Sequence, residues 1–173
     1  MFRASIRRTD SLENAGTGKT IYRKKTRELL MRLIFQMTST GDFSDEAREV
    51  FLADSSLYSG DVSLDSPPGC IFDESAGESP DTAYFNWAFE CIRDNLPEID
   101  LIIEEASEGW ALPRIGTAEL AILRVAAAEL LYIEGIDTGV SVNEAVILSK
   151  KYGTEKSAAF VNGVLGSVAR HEA

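Results

Sequence analysis

Residues 116–134 are apolar on nearly every side of the helix they predict. The stretch is rich in Ala and Leu, which favour helix most, and has no Pro and no Gly after its first residue. Leu120, Leu123, Ala127, Leu130 and Leu131 fill one face, and Ile122, Val125, Ala126 and Ile133 cover most of the remainder. A helix apolar all round must be covered on several sides, so the pattern predicts the central, buried helix of an all-helical domain. Only Glu119, Arg124, Glu129 and Glu134 interrupt it. Among Ala, Leu and Val, Arg124 needs an acidic partner on a neighbouring helix, and Glu144 is one candidate.

The same periodicity places other helices around this one. Over residues 20–37, Tyr22, Thr26, Leu29, Leu30, Leu33 and Met37 share a face, with Ile34 at its edge. Arg23, Lys24, Lys25, Arg27 and Arg32 fan round the other side, together with Met31 and Phe35. Gly41 and Asp42 close this helix. Ser44 opens an amphipathic one running to about residue 57, with Ala47, Val50, Phe51 and Leu57 as its apolar set. Asp81 opens a third, striped by Tyr84, Trp87, Ala88, Cys91 and Ile92, and Pro97 starts a short fourth that Gly109 ends. After the central helix, Ser141-Val142-Asn143-Glu144 reads as a capping box for a helix that Gly153 terminates. Thr154 begins the last, with Phe160, Val161, Val164, Leu165 and Val168 on its apolar face. The sum is about seven helices.

Two stretches lack this pattern. Residues 1–19 read as a flexible, irregular extension. Residues 59–80 read as a loop insert, with Pro67-Pro68, several Gly and Ser, the acids Asp61, Asp65, Asp73, Glu74 and Glu78, and no basic residue. Such an acidic insert is expected to point away from the basic helix of residues 20–37.

Charge changes the picture. The chain of 173 residues carries a formal net charge of −11, which argues against indiscriminate nucleic-acid binding. Residues 1–32 nevertheless hold nine basic side chains against three acidic ones. A basic end on an acidic body is a localised electrostatic footprint. On residues 20–37 the cations suit phosphate and Phe35 suits an unpaired base, so Arg23, Lys24, Lys25, Arg27 and Phe35 are candidate RNA contacts. An ordinary solvated face and a packed Phe35 are the plainer alternatives.

Candidate chemistry is sparse. His171 stands alone near the end of the sequence and completes no Ser/His/Asp or Cys/His constellation, and no metal-ligand spacing occurs. No catalytic residue, metal or cofactor is expected. Gly16-Thr17-Gly18-Lys19-Thr20 imitates the end of a phosphate-binding loop. The leading Gly of that loop is replaced by Glu13, and no apolar strand precedes it, so the match is read as chance. There is no secretory signal and no apolar run long enough for a membrane helix, so Cys70 and Cys91 are expected to be free thiols in a reducing cytoplasm.

Trp110, Arg114-Ile115, Glu119, Ala121-Ile122-Leu123-Arg124-Val125-Ala126 and Glu129-Leu130 resemble the NusB family of transcription antitermination factors. So do Val142-Asn143-Glu144-Ala145-Val146, Lys150, Tyr152-Gly153, Ser157 and Phe160-Val161-Asn162-Gly163-Val164-Leu165, in the same order and spacing. The basic stretch from Arg23 to Phe35 resembles that family's arginine-rich first helix, with Lys in place of Arg at 24 and 25. The resemblance implies an all-α domain over residues 20–173 in two helical subdomains: 20–96, carrying the insert 59–80, and 97–173. It implies binding of single-stranded, boxA-like RNA together with the ribosomal protein that acts as NusE. That binding promotes read-through by the transcription elongation complex, notably in ribosomal RNA operons. By position, Arg23, Lys24, Lys25, Arg27 and Phe35 would face RNA, with Glu119 and Phe160 as second-tier contacts. A homodimer covering that face, or a helical adaptor with weakened RNA binding, is the alternative.

Overall fold

A computed structural model describes residues 20–21, 23–54, 58–59, 71–73 and 77–171. The extension 1–19 with its phosphate-loop mimic, Tyr22, Leu57, Cys70 and most of the insert lie outside the described residues.

Among the described residues the chain forms six α-helices: α1 (Arg23–Thr40), α2 (Asp45–Leu52), α3 (Thr82–Ala106), α4 (Thr117–Tyr132), α5 (Thr138–Tyr152) and α6 (Glu155–His171). A 3-10 turn, Leu112–Arg114, leads into α4. The all-α expectation holds, with one helix fewer than the periodicity suggests, because the third and fourth run end to end as α3. They meet at Asn95, whose φ of −120° and ψ of 17° are not helical. The proline two residues on has no N–H, and its ring crowds the preceding turn. The Asn95 side-chain amide donates to the Cys91 carbonyl one turn back at 2.8 Å.

α4 occupies the centre, as its composition requires. Residues 120–129 and Leu131 are buried, and α1, α3, α5 and α6 all pack against it. Buried residues of these five helices join in one apolar cluster, to which Ile71 and Phe72 also belong. No helix among the described residues is long and apolar enough to cross a membrane.

Local sequence signals set most helix ends. Ser44 caps α2 by accepting from the Ala47 amide at 3.1 Å, and Asp81 caps α3 by accepting from Tyr84 at 3.0 Å. At the start of α6, Thr154 and Ser157 cap each other's amides, both at 3.2 Å. Gly153 closes α5. The capping box expected at Ser141 does not form. Asp137 caps α5 instead, accepting from Gly139 at 2.8 Å, which starts the helix earlier and buries Ser141 inside it. Met31, expected on the basic side of α1, is also buried, and one turn before it Glu28 is reached by Lys151 and Tyr152 of α5.

The insert departs most from expectation. Two short parallel pairs order its described parts: β1 (Thr20–Ile21) with β4 (Glu78–Ser79), and β2 (Tyr58–Ser59) with β3 (Phe72–Asp73). Phe72 is fully buried. The acidic end of the insert does not point away from α1 but lies against it. Glu78 pairs with Lys25, and just beyond the insert Asp81 pairs with Arg23. Opposite charges joined by a strand pair outweigh the simple expectation of separation.

Arg124 pairs with Asp100 rather than Glu144. Both oxygens of Asp100 accept from the guanidinium at 2.8 Å, and its third nitrogen donates to the Thr38 hydroxyl at 2.7 Å. One buried cation therefore joins α4 to α3 and α1. Replacing it with Leu leaves Asp100 without its partner, so Arg124→Leu is expected to lower the stability of the fold by about 2–4 kcal/mol in urea denaturation. A loss under about 0.5 kcal/mol, the range of an ordinary surface change, would show that the pair does not hold the helices.

Candidate nucleic-acid interface

The first turns of α1 carry three consecutive cations that project in different directions. Arg23 donates through Nε (3.1 Å) and Nη2 (2.9 Å) to one oxygen of Asp81, and lies 5.2 Å from the centre of the Tyr84 ring. Lys25 pairs with Glu78. Lys24, between them, is exposed. The expected basic cluster is therefore present, but two of its three members already face carboxylates.

Arg27 is turned inward. Only 6% of it is exposed, and its Nε donates to Glu129 at 2.7 Å. Burial alone would favour neutral arginine, but the charge and hydrogen bond of Glu129 outweigh it, and the guanidinium pKa is raised. The same carboxylate accepts from the Tyr84 hydroxyl and, at 2.5 Å, from the Ser141 hydroxyl. Burial, and then the charge of Glu129, push the Tyr84 pKa well above its ordinary value, so the phenol stays protonated and donates. In this arrangement Arg27 supports the helix that carries the other cations.

Further along α1, Glu28 gathers a surface network. It accepts from Lys151 at 2.7 Å and from Tyr152, with Arg32 at 3.4 Å. Burial pushes the Glu28 carboxyl up, but the bonds from Lys151 and Tyr152 and the nearby charges outweigh it and hold the pKa below the usual value. Tyr152 is pushed up to about 12, first by burial and then by its bond to Glu28. Arg32 also donates to the Tyr152 oxygen at 2.8 Å. Phe35 stands beyond this network with 43% of its surface exposed. Its spacing from Lys24 brings both to the same side of α1, roughly 16 Å apart along the axis at the α-helical rise per residue.

The second-tier residues meet elsewhere. Glu119 accepts from the Ser157 hydroxyl at 2.6 Å, which joins the start of α4 to the start of α6. Its carboxylate folds back over Gly116, where an added Cβ would lie 2.2 Å from a Glu119 oxygen, so the glycine makes room for an acid at the helix N-terminus. Glu119 and Phe160 line one groove of about 320 Å³ with Trp110, Arg114, Ile115, Gly116, Lys156 and Ser157. The Trp110 and Phe160 rings are 6.0 Å apart and tilted by 58°. The Arg114 guanidinium lies 5.3 Å from the centre of the Trp110 ring, which is 49% exposed. Exposed aromatic faces beside a cation are features on which an unpaired base can stack.

Structure thus divides the sequence-selected residues into two groups. Arg23, Lys24 and Lys25 cluster at the head of α1, with Phe35 further along and Arg27 in the core. Glu119 and Phe160 share the groove. The corner between α5 and α6 connects the groups, since Tyr152 touches Glu28 on one side and Ser157 touches Glu119 on the other. Sequence reasoning overlooked Trp110, Arg114 and Lys156 as groove-lining residues. A Trp in the short link before the central helix, four residues before an Arg, was the available signal.

Because Arg27 and Glu129 are buried together, removing one partner strands the other. Arg27→Ala is expected to destabilise the fold by about 3–5 kcal/mol, measured by thermal or urea unfolding. A fully stable variant would return Arg27 to the surface set.

Residues 24–170 match the NusB family. A protein of Alkaliphilus oremlandii described as transcription antitermination protein NusB is 35% identical over 150 residues, covering 87% of this chain and 94% of that protein. Among solved structures, T. maritima NusB superposes with a TM-score of 0.65 at 28% identity, covering 86% of this chain and 91% of the other. A crystal structure of antitermination factors NusB and NusE in complex with dsRNA contains the same fold, with a TM-score of 0.65 at 24% identity and coverage of 86% and 96%. With its buried central helix, its basic first helix and this match along almost the whole described fold, the chain belongs to the NusB family.

Proposed function

We propose that this chain is an RNA-binding antitermination factor. It takes single-stranded, boxA-like RNA along a track from the head of α1, past Phe35 and the α5–α6 corner, into the groove of Trp110 and Phe160. The observation that carries the reading is that groove: two aromatic rings, one with a guanidinium over its face, beside Lys156. Rings stack bases whatever their sequence, while cations follow the phosphates. Lys24, Lys150 and Lys156 are exposed along the way. Family membership supports the rest of the reading: binding jointly with the ribosomal protein acting as NusE, action within the elongation complex, read-through of ribosomal RNA operons, and a cytoplasmic location.

A second reading has its own observation. Arg23, Lys25 and Arg27 are each paired with an acid, so α1 presents less free charge than its sequence suggests. A helical adaptor, or a homodimer closed over this face, would retain the ribosomal partner while binding RNA weakly.

Fluorescence anisotropy with a boxA-like RNA oligonucleotide, titrated over salt, separates the two. Trp110→Ala and Phe35→Ala are each expected to weaken binding by about 1–3 kcal/mol with an unchanged salt slope, as loss of stacking requires. Lys24→Ala should reduce the magnitude of the slope by about 0.7, the contribution of one phosphate contact on a single strand. RNA that fails to bind with or without the ribosomal partner, while that partner is still captured, would replace the RNA reading with the adaptor.

A further inference from the structure

The basic head of α1 is covered by a built arrangement of carboxylates. β1 and β4 run in parallel register, Thr20 opposite Glu78 and Ile21 opposite Ser79, which fixes the segment before α3 beside the segment before α1. Glu78 accepts from Lys25 and, at 2.8 Å, from the Asp73 amide. Asp81 offers one oxygen to Arg23 and the other to the Tyr84 amide, while its own amide donates to the Thr26 hydroxyl at 2.8 Å. Each carboxylate is thus held by the backbone as well as by its cation.

Exposure differs between the partners in a way that matters. The Arg23 and Lys25 side chains are 34% and 33% exposed, whereas Asp81 and Glu78 are 16% and 12% exposed. A strand of phosphates can reach these cations without unfolding anything, while the carboxylates stay fixed. Carboxylate and phosphate oxygens compete for the same donors. Partly exposed ion pairs are weak enough to be displaced by a polyanion that releases counterions as it binds.

We propose that Glu78 and Asp81 act as an intramolecular stand-in for RNA phosphate, an autoinhibitory contact that occupies Arg23 and Lys25. RNA engages α1 first through Lys24 and gains the flanking cations only by drawing them away from the two carboxylates. Three cations and two carboxylates leave this head far less positive than its sequence, so loosely held polyanions are turned away. This inference rests on the RNA-binding reading above.

The test removes charge while keeping shape. Glu78→Gln and Asp81→Asn are made singly and together in the full chain, since Asn still caps a helix. Binding of a boxA-like RNA oligonucleotide is measured by anisotropy over a range of salt. The double variant is expected to bind about fivefold tighter, the scale of one displaced surface ion pair. The gain must disappear when Arg23→Ala and Lys25→Ala are added, and Glu105→Gln, an acid that touches neither cation, must not reproduce it. If the double variant unfolds by circular dichroism, Glu78→Gln alone decides. Wild-type binding with no gain in the variants overturns the stand-in and leaves the RNA reading intact. Absence of RNA binding in wild type and variants alike overturns both.

Discussion

Glu129 accepts hydrogen bonds from three other helices: Arg27 of α1, Tyr84 of α3 and Ser141 of α5. A carboxylate this deep is costly unless its charge is balanced and its lone pairs are used. Here one guanidinium supplies the balance and two hydroxyls take the remaining directions. The cluster favours one arrangement of four helices because any sliding of a neighbour would leave an ion or a hydroxyl unpaired in the core. Apolar packing around α4 provides the bulk of the driving force but little direction. The polar knot provides the direction, and the head of α1, with its cations, is set by it.

That arrangement also explains how charge is divided along α1. Arg27 is consumed in holding the helix, Arg23 and Lys25 face acids from the segment before α3, and Arg32 joins Glu28 and Tyr152. What remains outward is mostly Lys24 and the ring of Phe35. On the RNA-binding reading proposed above, a protein of net charge −11 would recognise RNA through a few well-placed groups and aromatic faces rather than through overall attraction. The groove between α4 and α6 fits the same economy, with one guanidinium lying over one indole.

Much of the fold was legible in the sequence. An all-round apolar run identified α4 because no exposed helix can carry one, and Ser44, Asp81 and Gly153 marked helix ends through chemistry confined to a few residues. Misreadings arose where a residue's role is set by something distant in sequence. Arg27 and Arg23 look alike on a helical wheel, and only the position of Glu129, far along the chain, sends one of them inside. Arg124 announced its need for an acid but could not say which, since Asp100 and Glu144 sit on different helices. Ser141 has the sequence of a cap, but Asp137 begins the helix first and leaves its hydroxyl to serve Glu129. Ile71 and Phe72 were lost in the acidic, proline-containing insert, whose composition concealed two core side chains. The groove was half visible: Glu119 and Phe160 came from the family resemblance, while Trp110 and Lys156 join them only through the packing of α6 on α4.

The break in α3 at Asn95 serves the same set of ties. Before it, Tyr84 must meet Glu129; after it, Asp100 must meet Arg124, and both of those partners lie on α4. A straight helix has a single rotational phase, so satisfying one of these contacts dictates where the other falls. The interruption gives each half of α3 its own phase. A helix that reads as one element is mechanically two, clamped separately to the same rod.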